Sequence, residues 1–151
     1  MRTGAGKTAI VLVAMLVGCG SGGPAAPPSP EQAGNDFLAA LKVTNLVDLQ
    51  NLMASHALRK ELDDRASLEA DATAALRRFF FGTPEARLED ATIIAIDQHS
   101  AGDRLVEVTF EYRLELPGRL VDDEYRGQAT FQLSYVRNRW WVSRLPAPLG
   151  P

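Results

Sequence analysis

The spacing of hydrophobic positions changes twice along this chain. Ala9–Val17 is one continuous apolar run, set behind Arg2 and Lys7 and broken at once by Gly18-Cys19-Gly20. From about residue 30 apolar positions recur every three to four residues, and from residue 91 they recur every second residue. These are the repeats of a helix and of a half-buried strand.

The helical part opens at Ser29-Pro30-Glu31-Gln32. Ser29 suits the N-cap, Pro30 the first helical position, and Gln32 can close a capping box. Phe37, Leu38, Ala40 and Leu41 then share one stripe, which predicts a helix over 30–43. Asn45 can cap a second, short helix with Leu46, Leu49, Leu52 and Met53 on one side. Leu58 to Leu62 either extend it or form a further turn, and the pattern leaves both open. A third helix is predicted over 67–81, with Leu68, Ala72, Ala75, Leu76 and Phe79 inward and Gly82 and Pro84 as its stop.

Ala91–Gln98 reads as an isoleucine-rich strand, followed by a turn at Ser100–Asp103. Val106, Val108, Phe110, Tyr112, Leu114 and Leu116 alternate with polar residues in the next strand. Tyr125, Ala129, Phe131, Leu133 and Tyr135 do so in the third. A hairpin at Arg137-Asn138-Arg139 leads into Trp140–Leu145. Matching faces and charges pairs Glu115 with Arg126, Tyr112 with Ala129 and Phe110 with Phe131. Helices followed by a meander with one apolar face predict an α+β domain, its N-terminal helices packed on a curved antiparallel sheet.

The helical opening Phe37-Leu38-Ala39-Ala40-Leu41, the Leu49–Met53 stretch and the closing Trp140-Trp141-Val142-Ser143 together resemble the nuclear-transport-factor-2-like superfamily. The resemblance spans residues 31–146. It implies a cystatin-like cone with a pocket between helices and sheet, a fold shared with ketosteroid isomerases, SnoaL-like proteins and small bacterial lipoproteins.

Residues 1–19 resemble a bacterial lipoprotein signal, with Leu16-Val17-Gly18-Cys19 as its lipobox. The run Ala9–Val17 is about half the length needed to span a bilayer core. Cys19 is the sole cysteine, so it has no partner within the chain for a disulfide. The resemblance implies cleavage between Gly18 and Cys19 and a covalent diacylglycerol and acyl lipid on Cys19. The domain would then lie at the bacterial cell envelope, facing the periplasm or the exterior, and at the outer membrane in a Gram-negative host. Gly4-Ala5-Gly6-Lys7-Thr8 is not a phosphate loop, because the first glycine and the preceding strand of such a loop have no room here. Residues 20–30 contain only Gly, Ser, Pro and Ala and predict an extended linker. The expected division is a signal over 1–18, lipidated Cys19 with its linker over 19–30, one domain over 31–146 and a tail over 147–151.

Composition narrows the partners. Loss of Arg2 and Lys7 with the signal takes Lys+Arg from 16 to 14 against 19 Asp+Glu, a charge of about −5. That sign disfavours nucleic acid, which needs a basic face. Two histidines and one cysteine offer no metal-ligand spacing.

Candidate chemistry is sparse. Asp97 and His99 lie two apart on one strand, so one can orient the other. Tyr112 and Tyr125 stand on the inner face, where a tyrosine can donate to an oxyanion. Glu107, Glu111, Glu115 and Arg113 form the wet face of the sheet. A helix cannot bury Phe79, Phe80 and Phe81 all on one side, so one of these rings faces a sheet edge, a pocket mouth or a partner, with Phe81 a candidate contact. Trp140 and Trp141 point to opposite faces, which makes both candidate binding residues.

The expected function is a membrane-anchored, non-catalytic module that binds a small apolar ligand or an envelope protein and carries no cofactor beyond the lipid. The alternatives are an isomerase- or dehydratase-like enzyme using Asp97, His99 and Tyr112, and a structural homodimer joined through the outer sheet face.

Overall fold

The computed structural model describes residues 29–98, 104–118 and 123–151. It is an α+β fold. Four helices, α1 (Pro30–Val43), α2 (Leu46–Gln50), α3 (His56–Ala66) and α4 (Ala72–Phe81), precede four strands: β1 (Arg87–Gln98), β2 (Leu105–Glu115), β3 (Glu124–Val136) and β4 (Arg139–Arg144). The strands form one open antiparallel sheet in the order β1-β2-β3-β4.

Each helix starts at a side-chain cap, as the orphan N–H groups of a first turn require. Ser29 accepts from the Gln32 amide, Asn45 from Asp48, Ser55 from Leu58, and Asp71 from Thr73 and Ala74. The capping box expected at Gln32 is half made, because its side-chain amide donates to Asp36 instead. The stretch 58–62 belongs to a separate helix, α3. The helix predicted from Ser67 begins only at Ala72. Ser67 closes α3, its hydroxyl donating to the Asp63 carbonyl, and Asp71 opens α4. Leu68, expected inward, therefore lies between helices and is 72% exposed. Met53 leaves α2 and forms a parallel bridge to Val142 on the edge of β4.

The alternation in β2 is realised fully: Val106, Val108, Phe110, Tyr112 and Leu114 are all buried. The β1 strand starts at Arg87, earlier than expected, and its alternation is interrupted near Glu89 and Ile94, where the register against β2 shifts. Such bulges bend a strand and re-aim its side chains. Arg137 and Asn138 both have positive φ, 52° and 63°, the backbone of a two-residue hairpin whose twist matches its strands.

The register of β2 on β3 corrects the expected one by two residues. Glu115 lies opposite Glu124, Arg113 opposite Arg126, Tyr112 opposite Gly127 and Phe110 opposite Ala129. A two-residue shift keeps every side chain on its face, so the hydrophobic pattern cannot tell the two registers apart. Packing decides. A Cβ at position 127 would lie 2.7 Å from the Tyr112 hydroxyl oxygen, so the Tyr112 ring needs glycine opposite it. The like charges brought together are compensated diagonally: Arg113 bonds Asp90 at 2.6 Å and Glu124 at 3.3 Å, and Arg126 reaches Glu124 at 2.7 Å.

The core lies between α1, α4 and one sheet face, with Phe131 meeting Phe37 at a tilt and Phe110 edge-on within it. Gly34 lets α1 come close to the sheet, since a Cβ there would meet Ile93 at 2.8 Å. Residues 147–151, expected as a tail, pack back onto the domain: Leu149 is 3% exposed.

Candidate functional site

The residues singled out from the sequence do not converge. Asp97 is exposed on the outer sheet face, opposite Glu107, and so away from the helices. His99, Gly18 and Cys19 lie outside the described residues. Phe81 is a core residue, 2% exposed, beside Phe80. The ring left over from the phenylalanine triplet is Phe79, half-buried with the Arg65 guanidinium 4.7 Å from its centre. Trp140 is buried against Tyr135 on the helix side.

Tyr112 is the candidate under the helices with a polar group to offer chemistry. Its hydroxyl accepts the Gly150 backbone N–H at 3.0 Å, and the Tyr125 ring stands 6.1 Å away. Burial pushes the Tyr112 hydroxyl above its ordinary pKa, against the opposing pull of the Gly150 hydrogen bond. A raised pKa keeps it a neutral phenol that accepts the Gly150 N–H. Asp90 and Glu111 line a hollow that Tyr112 also touches, and their carboxylates are engaged by Arg113 and Gln128.

The outer face carries charge. A hollow of about 430 Å³ opens there between Asp90, Thr92, Glu111, Arg113, Arg126 and Gln128, with Tyr112 and Gly127 also lining it. Its cations are already engaged. Hydrogen bonding to Arg113 holds the Asp90 carboxyl below its ordinary range, and Arg126 with Arg113 does the same for Glu124. Among the described residues no three metal-ligating side chains cluster.

At the hairpin end of the same face the side chains change character. Leu105 lies opposite Ser134, and Ser134 opposite Trp141. Val136 is two residues on from Ser134 and shares its face. Leu105 and Val136 are 41% and 49% exposed. Trp141 lies half-buried with its indole N–H donating to the Val136 carbonyl at 3.1 Å, and the Arg139 guanidinium covers its ring at 4.2 Å. Leu105, Val136 and Trp141 form an apolar patch around Ser134, with Arg139 as its cationic rim. Trp141 was legible from the sequence. Leu105 and Val136 were not singled out, although both fall on the polar parity of their strands, where a large aliphatic residue is out of place.

No protein-family model and no curated protein matches the chain. It is similar in fold to solved structures. One is a SEC-C motif containing protein from Rhodopseudomonas palustris, 16% identical, covering 81% of this chain and 80% of that one, with TM-score 0.52. Another is described as a calcium/calmodulin-dependent protein kinase type II association domain from Thiobacillus denitrificans, 14% identical, covering 84% and 100%, with TM-score 0.53. Neither bears the nuclear-transport-factor-2-like or lipoprotein description, which corrects the resemblance read from the sequence. The physical reason lies in the residues that carried it. An amphipathic Phe-Leu-Ala-Ala-Leu helix and a Trp-Trp strand satisfy any helix-on-sheet core, and a fold hosts many functions.

Proposed function

We propose that this domain is a non-catalytic interaction module that docks an envelope protein through the outer face at Leu105, Val136 and Trp141. The observation that carries this reading is the division of apolar surface. Leu149 and Tyr112 are buried on the helix side, while Leu105, Val136 and Trp141 stand on the opposite face at the hairpin. A partly covered tryptophan with aliphatic neighbours and an arginine has the make-up of an interface centre. The burial of Leu149 and Tyr112 on the helix side favours a protein surface over a small apolar ligand or a carbonyl substrate.

A photo-crosslinking residue placed at Val136 in cells is expected to give one discrete protein adduct, while the same group at Asp64 on α3 gives none. Trp141→Ala is expected to weaken that interaction by about 2 kcal/mol, roughly 30-fold, without unfolding the domain. A small molecule co-purifying stoichiometrically, with no adduct from position 136, would reverse the reading.

A membrane-surface location belongs to the same proposal. It rests on the sole cysteine, Cys19, following the apolar run Ala9–Val17 and the cationic Arg2 and Lys7. Among the described residues no helix is long and apolar enough to cross a membrane, so attachment would run through residues 1–19. Cys19→Ala should move the protein to the soluble fraction on cell fractionation, and retention in the membrane fraction would refute this part.

A further inference from the structure

The segment Pro146-Ala147-Pro148-Leu149-Gly150-Pro151 lies in the fold as a bound peptide lies on a receptor. It belongs to no strand or helix, and among the described residues its backbone donates two hydrogen bonds. The Leu149 N–H reaches the Phe80 carbonyl at 2.6 Å, one of the last-turn carbonyls that α4 leaves without an intrahelical donor. The Gly150 N–H reaches the Tyr112 hydroxyl at 3.0 Å. Leu149 is the deep anchor at 3% exposure. Gly150 has φ +115°, a backbone region that favours glycine, so glycine suits the position after the anchor. Pro146 is buried, while Ala147 and Pro148 are exposed.

Open space flanks the segment on both sides. A hollow of about 500 Å³ separates Leu145–Ala147 from Leu58 and Phe79, and one of about 330 Å³ separates Ala147–Leu149 from the Gln128–Thr130 stretch of β3. The hydroxyl oxygen of Ser143, just before the segment, is buried without a partner. The segment is therefore held at Pro146, Leu149 and Gly150 and is poorly knitted to the domain between them. Its three prolines restrict the free chain and lower the ordering cost of seating it.

We propose that the slot between the end of α4 and Tyr112 is a peptide-binding site occupied in cis by residues 146–151. It would accept in trans an extended, proline-containing peptide with an aliphatic residue followed by glycine. The recognition elements are the Leu149 seat, the Phe80 carbonyl and the Tyr112 hydroxyl. The site is separate from the outer-face cluster, so either reading can fail without the other.

The probe is a fluorescently labelled synthetic peptide of residues 145–151, titrated against the full chain and against the full chain carrying Leu149→Ala. In the unaltered chain the resident segment competes at the high effective concentration of a tethered ligand. The variant should therefore bind the peptide at least tenfold more tightly, and a peptide with the same Leu149→Ala change should lose at least tenfold. A folded variant that takes up no peptide overturns the proposal. Hydrogen exchange on the unaltered chain gives a reading that does not need the variant to fold. The Leu149 and Gly150 amides should exchange ahead of the β2 and β3 amides. If they exchange only on global unfolding, the segment is ordinary core and the proposal falls.

Discussion

At the scale of single residues, Gly127 decides more than its size suggests. It admits the Tyr112 ring, which places the hydroxyl where Gly150 can donate to it, and it distinguishes the actual β2–β3 register from one two residues away. Gly127→Ala would drive a Cβ to 2.7 Å from that hydroxyl oxygen. A buried ring in a packed core cannot yield freely, so the substitution is expected to cost about 1–3 kcal/mol, measured by denaturant unfolding. An unchanged midpoint would mean that the ring moves aside without loss. Thr44 is a second residue of this kind. Its backbone is left-handed at φ 59°, it is 1% exposed, and its hydroxyl bonds the Leu41 carbonyl. That bond holds a β-branched residue in a region such residues avoid.

At the scale of elements, the caps set the boundaries. Ser67 and Asp71 are both good cap residues, and hydrophobic spacing alone favoured one long helix beginning at the first. In the fold Ser67 ends α3 and Asp71 begins α4, its carboxylate accepting from Thr73 and Ala74. Asp71→Ala is expected to cost about 1 kcal/mol and to fray the first turn of α4, read as faster amide exchange at Thr73 and Ala74. Unaltered exchange there would show that packing, not the cap, holds the turn. The same logic explains β1. Its alternation broke at Glu89 and Ile94 because the strand is bulged there, and a period-2 reading has no place for an extra residue.

At the scale of the whole molecule, the outer face carries an ionic network that ties three strands: Asp90 on β1, Arg113 on β2, and Glu124 with Arg126 on β3. Asp90 and Glu124 have carboxyls held below their ordinary values by these arginines. A carboxylate with a depressed folded-state pKa contributes stability above its unfolded pKa, and that contribution is lost as pH falls through the folded value. The domain should therefore lose stability as pH drops below about 4, the ordinary carboxylate range. Arg113→Met should flatten that acid limb by lowering stability near neutrality and leaving it unchanged at low pH, where the carboxylates are protonated in both proteins; the drop is small, because exposed pairs are weak. Thermal unfolding followed between about pH 6 and 3 tests this, and parallel acid limbs in the two proteins would refute it.

The order of helices before strands, the helix–sheet layering and the buried faces of β2 and β3 were determined by the sequence alone. Periodicity is local, and burial of one face follows directly from it. Ser29, Asn45, Gly82 and the Arg137-Asn138 turn were legible for the same reason, since each acts within a few residues of itself. Three things were decided only by tertiary structure. The strand register was one, because a shift of two residues leaves every face unchanged and only the clash at Gly127 breaks the tie. The placement of Asp97 away from Tyr112 was another, because it depends on where β1 is bulged. The third was the seating of Leu149 and Gly150 against residues as distant in the chain as Phe80 and Tyr112, which no local pattern encodes.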